Sequence, residues 1–337
     1  MPSTILLTGA NGFLGSHVAR ELLNRRYAVR AFVRPGSNRK ALLANATNDL
    51  PIEFAEGDIR DVAQVRRAAK GCAAVIHAAA YTSVSPARHP DHWAINQTGT
   101  ENVIAAVRAE NLRRLVYVGT ANVFGFGPKE QPGHEKTPYA GARYGLDYMD
   151  SKVAATQAVL DAVRQYDLPA VLVHPAFLLG PLDVKPSSGA MLLAVAKGQL
   201  PGYPVGGKNV IDVRDAAVGT VNALTMGRVG HSYILGHENL AYRELFQLMA
   251  EVTGVRPPRF ALSPTLARWY GQVSDWMARR TGTPARVNTA MALVGNDGHY
   301  FTSQKAIDEL KLPQTPIRQA VEEAYAWFRK NGYLHPV

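Results

Sequence analysis

One cysteine among 337 residues, Cys72, rules out an internal disulfide and any site built on several thiolates. Its setting, GCAAVIHAAA, reads as a buried strand in which a small apolar thiol packs. Long hydrophobic runs are missing too, none approaching the about 18 residues a membrane span requires. No basic segment followed by an apolar one opens the chain, so no secretory signal is read there. Together these absences predict a cytoplasmic protein with no stable membrane insertion. The formal charge is +10, yet the basic residues are scattered in pairs such as Arg25-Arg26, Arg113-Arg114 and Arg279-Arg280. Without a basic run or an aromatic–basic RNA motif, nucleic acid is not an expected partner. His89 and His92 have no third ligand at a workable spacing, so they read as surface loop residues and no metal is expected. A Gly-x-Ser-x-Gly hydrolase elbow does not occur, nor does any repeat.

What the chain does have is glycine in an informative place. Residues 8–15 read TGANGFLG, with Gly9, Gly12 and Gly15 evenly spaced. The STILL segment before them is short, apolar and partly β-branched, as a buried strand would be. After them Phe13, Leu14, Val18 and Leu22 recur at helical spacing. Strand, glycine turn and helix form the opening of a nucleotide-binding βαβ unit. Glycine permits the tight turn, lets backbone approach a pyrophosphate, and lets the helix pack close on the strand. The helix start, with Asn11, Phe13 and Leu14 among the glycines, then offers free N–H groups and a positive dipole end to phosphates.

Strands are expected at 27–34, 52–59, 73–80, 112–120 and 169–180, with helices between them, notably over 98–110 and 143–166. Such alternation predicts an α/β fold, a Rossmann-type doubly wound parallel sheet covered by helices on both faces. Ligands then bind beyond the carboxyl ends of the strands. After Gly180 the chain turns rich in Pro, Gly and Ser around one short helix. A strand near 231–236 and helices over 242–252, 264–280, 303–310 and 316–331 follow. The expected division is a cofactor-binding Rossmann domain over 1–174, rejoined by about 209–232, and a smaller C-terminal α/β substrate domain over 175–337. Within 264–280, Leu266, Trp269, Tyr270, Val273 and Met277 form an apolar stripe flanked by Arg268, Arg279 and Arg280. It reads as a substrate-domain lid packed on the core, ahead of a membrane-surface helix.

The segment YMDSK sets Tyr148 and Lys152 four apart, on one face of the 143–166 helix. A phenol with its ordinary pKa of about 10 cannot shuttle protons at neutral pH, and a neighbouring ammonium favours the phenolate. Lowering that pKa by about three units takes roughly 4 kcal/mol, within reach of Lys152 together with an oxidised nicotinamide. At the end of the second strand, where NAD enzymes usually carry an acid, stand Phe32-Val33-Arg34 and then PGSNRK. Arg34 can bind a 2′-phosphate bidentately, with Arg39 and Lys40 assisting. One charge-assisted contact contributes about 1.5–3 kcal/mol, so NADP(H) is expected over NAD(H).

With both motifs present, the chain resembles an extended short-chain dehydrogenase/reductase of the NAD-dependent epimerase/dehydratase family, over nearly its full length. The resemblance implies further roles. EGDIRD is similar to the family's adenine turn, giving Asp58 to the adenine amino group and Ile59 to its ring. HAAA brings Ala78, Ala79 and Ala80 to the cofactor, and INQTGTENV resembles the Asn-bearing helix start, assigning Asn96. VYVGTANVFG assigns Thr120 as the catalytic hydroxyl, at the carboxyl end of the fifth strand, where it can polarise a carbonyl beside the Tyr148 proton. Lys152 would also hold the nicotinamide ribose. HPAFLLGP sets Pro175, Ala176, Phe177 and Leu178 against the nicotinamide amide, and NVIDVRDAA resembles the later strand carrying Asp212 and Asp215. RPGSNRK, LDVKPSSG, YILGHENL and AYAWFRKNGY are most similar to the dihydroflavonol reductase-like branch, especially its hopanoid-associated sugar epimerase type. The chain departs from it with His174 where an Arg usually precedes the proline, and with Met149-Asp150 inside the Tyr–Lys motif.

Three functions follow from the resemblance. The leading one is an NADP(H)-dependent reductase acting reversibly on a carbonyl and a secondary alcohol. A nucleotide-sugar epimerase with retained cofactor needs only the same Thr, Tyr and Lys. A nucleotide-sensing binding protein is the non-enzymatic option. Dehydratases carry Asp-Glu after the threonine, whereas Ala121 and Asn122 stand here. Relatives pair through two long helices, so a homodimer is expected across 98–110 and 143–166, with Ala155, Val159 and Val163 on the outer face.

Overall fold

A computed structural model of the protein describes residues 3–43, 52–283, 285 and 287–334; the outermost ends of the two expected domains, 1–2 and 335–337, lie outside the described residues. Seven parallel strands form the main sheet: β1 (Thr4–Thr8), β2 (Ala28–Val33), β3 (Ile52–Glu56), β4 (Ala74–His77), β5 (Leu115–Val118), β6 (Ala170–Pro175) and β9 (Ser232–Leu235). Their order is β3-β2-β1-β4-β5-β6-β9, so the winding reverses between β1 and β4. That reversal opens the crevice in which doubly wound sheets bind ligands. Alternation along each strand divides the core in two. Ile5 and Leu7 of β1 face α1 (Phe13–Asn24), α7 (Val213–Asn222) and α11 (Gln304–Leu310), and Leu6 faces α3 (Val62–Ala69), α4 (Gly99–Ala109) and α5 (Asp147–Tyr166). Burial on both faces is why these strands are near-continuous apolar runs.

A second sheet centres on β8 (Gly207–Asp212), which pairs in parallel with β7 (Phe177–Leu179) and β11 (Gly298–His299) and antiparallel with β10 (Glu238–Ala241). Helices α6 (Gly189–Ala196), α8 (Tyr242–Thr253) and α12 (Ile317–Lys330) cover it through Leu192, Phe246 and Phe328. The expected strand over 169–180 is therefore two strands, and the chain leaves the main sheet at Ala176 for the smaller one. The short α2 (Lys40–Leu43) follows β2. Helix α9 (Pro264–Thr281) packs on α10 (Thr289–Gly295), a helix the sequence reading passed over.

Several boundaries differ for physical reasons. The helix expected from 98 begins earlier, as a π-helical stretch over His92–Thr98 that runs into α4. The helix expected from 143 begins at Asp147, because Gly145 adopts φ +63 after a 3₁₀ turn over Gly141–Tyr144. Cys72 is buried as expected, but in the turn before β4 rather than in a strand. Asp215 stands on α7, not on the preceding strand. Ala155 and Val159 point into the core beneath the main sheet, so neither forms an outward face for pairing. Outward positions of those helices include Glu101, Arg108, Gln157 and Arg164, and Arg108 stacks on Tyr166.

The glycine turn is sterically compulsory. Gly9 adopts φ +68, and a Cβ there would lie 2.6 Å from the Ala79 nitrogen. At Gly15 a Cβ would lie 2.0 Å from the Gly9 carbonyl oxygen, so α1 can sit on the turn only without a side chain. Gly15→Ala should therefore destabilise the fold by about 3 kcal/mol through overpacking. Gly254→Ala, at φ +74 with nothing within 4 Å, should cost only about 1 kcal/mol of left-handed strain. Urea denaturation of both variants checks the contrast, and a Gly15→Ala protein as stable as wild type contradicts the close packing.

Candidate active site

The carboxyl ends of β1 and β4 are joined by one buried polar network. The Thr8 hydroxyl lies 2.7 Å from His77 Nδ1 and accepts from the Ala79 N–H. His77 Nε2 lies 3.0 Å from the Thr100 hydroxyl, which itself donates to the Asn96 carbonyl. One arrangement satisfies every member: Thr8 donates to Nδ1, and a neutral ring donates from Nε2 to Thr100. Burial, aided by the Lys152 charge, lowers the His77 pKa to about 3, consistent with that neutral ring.

Asn96 extends the network to α5. Its Oδ1 accepts from the Tyr81 N–H at 2.7 Å, and its Nδ2 donates to the Tyr81 carbonyl and to the Ser151 hydroxyl. Asn96 thereby pins the segment after β4 to α5, one residue before Lys152. Its polar groups all have protein partners, so its work here is positioning.

Thr120, Tyr148 and Lys152 come together beyond β5. Thr120 caps a short 3₁₀ turn and its hydroxyl accepts from the Asn122 N–H. Lys152 is 2% exposed; its Nζ donates to the Val118 carbonyl at 2.7 Å and lies 4.6 Å from the centre of the Tyr117 ring. Burial draws its pKa from 10.5 down to about 7. The Tyr148 phenol departs from expectation: its pKa is raised, because burial outweighs the lowering by the nearby Thr120 hydroxyl. Lys152 is not among the causes; its ammonium is directed to the Val118 carbonyl.

The cofactor residues divide by what they can offer. Gly12 is the exposed N-cap of α1 and donates to the Gly9 carbonyl at 2.9 Å. Leu14 faces the core and Phe13 packs against it, so these two offer a ligand chiefly backbone N–H groups. Asn11 donates to the Asn38 carbonyl, which ties the loop after β2 to the glycine turn. Arg34 is exposed in that loop and its charge lowers the Asp58 pKa, so the two are neighbours. The Asp58 carboxylate is gripped by Arg60 through Nε at 3.0 Å and Nη2 at 2.6 Å. Ile59 is buried against Gly99, so its apolar side chain is largely core rather than open to an adenine ring. Arg39 is ion-paired with Glu56 and stacked on Phe54, whereas Arg34 and Lys40 are exposed and make no ion pair among the described residues. Ala78, Ala79 and Ala80, then Ala176, Phe177 and Leu178, stand partly exposed just past β4 and β6, whereas Pro175 is buried.

These features suit a nicotinamide dinucleotide. The turn excludes side chains from the helix N-terminus, and among the described residues Lys152 Nζ has one hydrogen-bond acceptor, the Val118 carbonyl. Asp212 and Asp215 do not join the site. Asp212 caps α7 and binds Arg214, and Asp215 accepts from the Thr315 N–H and hydroxyl. No group of three or more His, Cys, Asp or Glu residues among the described residues could hold a metal.

The sequence reading gave no site role to His92, His174, Lys208 or His299. His92 is not a surface loop residue: it is fully buried in the π-helical stretch, edge-on to Tyr81 at 4.7 Å and 6.2 Å from the Tyr148 ring. Asn122 Oδ1 meets His299 Nδ1 at 3.1 Å, and the Tyr144 hydroxyl donates to Asp297 at 2.6 Å beside them. Lys208 lies in register with His299, and its side chain has no hydrogen bond among the described residues; burial lowers its pKa to about 8. His299 and Lys208 are distant in sequence, and only the pairing of β8 with β11 joins them. His174 is buried behind Thr120, its Nε2 3.2 Å from the Ser232 hydroxyl.

A glycine turn at the switch point of a parallel sheet, with a tyrosine–lysine pair beyond β5, marks a nicotinamide-dependent enzyme of the Rossmann kind. The chain belongs to the NAD dependent epimerase/dehydratase family, whose sequence pattern matches residues 5–236. It is 31% identical to sterol demethylase protein B of Methylococcus capsulatus, over 98% of this chain and 100% of that one. It is 29% identical to a dihydroflavonol 4-reductase of Zea mays over 60% of each chain. The crystal structure of a nucleoside-diphosphate-sugar epimerase from Pseudomonas aeruginosa superposes with a TM-score of 0.81, at 27% identity, covering 99% of both chains. The resemblance read from the motifs therefore holds, and the protein is an NAD(P)-dependent enzyme of the oxidoreductase, epimerase or dehydratase kind.

The low Lys152 pKa is directly measurable. Nitrogen NMR of the cofactor-free protein should find one lysine titrating near pH 7, charged below and neutral above, and Lys152→Met should remove that signal. Lysines titrating only above pH 10 would contradict the burial.

Proposed function

We propose that the protein is an NADP(H)-dependent reductase that converts a carbonyl to a secondary alcohol, reversibly. What supports this reading most is geometric: the Tyr148 phenol and the Thr120 hydroxyl stand side by side beyond β5, with Lys152 one turn further along α5. Burial holds Tyr148 in its acid form in the cofactor-free protein, ready to donate to a carbonyl oxygen, and a bound oxidised nicotinamide beside Lys152 would favour the phenolate needed for the reverse step. Thr120 adds a hydrogen bond to the same oxygen as charge develops on it. NADPH, when bound, supplies the hydride. Carbon gains the hydride, oxygen gains the Tyr148 proton, and the alcohol is complete. Lys152 stands one helical turn from Tyr148 with two protons for ribose hydroxyls. At the positions where a dehydratase needs an acid pair, Ala121 is buried and Asn122 is bonded to His299. The dihydroflavonol 4-reductase of Zea mays, 29% identical over 60% of each chain, lends support to reduction.

A second reading, a nucleotide-sugar epimerase with retained cofactor, draws on Lys208. A half-buried ammonium beside His299, with no side-chain hydrogen bond or ion pair among the described residues, suits a substrate phosphate. The two readings separate on cofactor balance: a reductase consumes NADPH, and an epimerase shows no net turnover. A nucleotide-sensing role is disfavoured because nothing in the Thr, Tyr and Lys set is missing.

Two outcomes are expected. NADPH should bind at least about tenfold more tightly than NADH, a difference that one charge-assisted phosphate contact supplies. Calorimetry on wild type and Arg34→Ala checks it; equal affinities in wild type, or an unchanged NADPH affinity in the variant, would overturn it. Tyr148→Phe should cut turnover by about 10²–10⁴-fold with cofactor affinity nearly intact. A variant keeping more than about a tenth of wild-type turnover would remove Tyr148 as the proton donor.

A further inference from the structure

Helix α9 is built inside out. It packs on α10 through small residues: Gly271 and Ser274 are its buried positions, and a Cβ on Gly271 would lie 2.7 Å from the Thr289 Cα. Its large residues point to solvent instead, with Trp269 60% exposed, Leu266 55%, Tyr270 54%, Trp276 53% and Met277 49%. The lid packed on the core, expected from the same stripe, is thus absent: the stripe faces away from the core. At about 100° per residue, these five side chains and Val273 share an arc of roughly 120°. Phe260, also exposed, lies in the segment just before the helix.

Charge narrows the choice of what covers this face. Between Arg256 and Thr283 the charged residues are Arg256, Arg259, Arg268, Arg279, Arg280 and one acid, Asp275. Asp275 is engaged by the Thr289 N–H and hydroxyl, at 3.0 and 2.6 Å. None of the five arginines makes an ion pair among the described residues, and Arg280 lies over the Trp276 ring at 5.0 Å. A second copy of the chain is a poor match, since a two-fold contact sets a surface against itself and would oppose arginine to arginine. An anionic lipid surface matches every feature. Tryptophan and tyrosine favour the interface between headgroups and acyl chains, leucine and methionine reach below it, and arginine meets phosphate.

We propose that α9 docks the protein peripherally on an anionic membrane surface, its aromatic face lying in the interface plane. No helix among the described residues is long and apolar enough to cross a membrane, so the contact is one-sided. One helix separates α9 from the cluster around Tyr148. Helix α9 lies on α10, whose Ala290 and Val294 pack with Tyr144 and Met149, in the cluster that Tyr148 joins.

Co-sedimentation of the full chain with vesicles of phosphatidylglycerol and phosphatidylcholine, against vesicles of phosphatidylcholine alone, tests this. Binding to the anionic vesicles at least tenfold stronger than to the neutral ones, and weakening with salt, supports the proposal. Trp269→Gln/Trp276→Gln should reduce binding at least tenfold while leaving the circular dichroism unchanged, since both side chains are exposed. Arg268→Gln/Arg279→Gln should abolish the preference for anionic lipid. Absence of vesicle binding, or binding indifferent to both double variants, overturns it. So does a concentration-dependent dimer in light scattering that the tryptophan variant dissolves and that excludes vesicles, since a second copy would then be the occupant.

Discussion

The bond from the Lys152 ammonium to the Val118 carbonyl holds the candidate site together. It ties α5 to the end of β5, and so fixes Tyr148 of the helix against Thr120, which lies two residues beyond Val118. A buried ammonium with one protein acceptor and an aromatic face is costly to keep charged, which is why its pKa falls to about 7. Such an arrangement does little for stability. Its use is chemical, because it leaves donor protons unsatisfied where a ribose would lie.

The same helix is held from the cofactor side. Thr8, His77, Thr100 and Asn96 connect the ends of β1 and β4 to α4, and Asn96 then reaches Ser151 on α5. The strand end before the glycine turn is thus connected to α5 by buried hydrogen bonds. Each link is satisfied only with a neutral His77, so the network has one arrangement rather than several.

The main sheet was legible in the sequence because strands buried on both faces must be continuous apolar runs, and the glycine spacing follows from contacts that exclude any side chain. Tyr148 and Lys152 were legible for a similar reason, since four residues along a helix share a face. The rest depended on information that pattern does not carry. Periodicity finds the stripe of α9 but not which side the fold covers, and there the small residues face inward. Burial reversed the expected shift of Tyr148 and hid His92, and neither effect can be seen before the chain is folded. The pairing of Lys208 with His299 needs a second sheet whose strands are short and far apart in sequence.

The central claim is that hydride passes from NADPH to a substrate carbonyl while Tyr148 gives the proton. It is tested most directly by incubating the protein with aldehydes, ketones and nucleotide sugars in the presence of NADPH deuterated at the transferring carbon. Mass spectrometry of the products should find an alcohol carrying one deuterium for each NADPH consumed. An epimerised sugar formed without NADPH loss, or an alcohol without deuterium, would contradict the account.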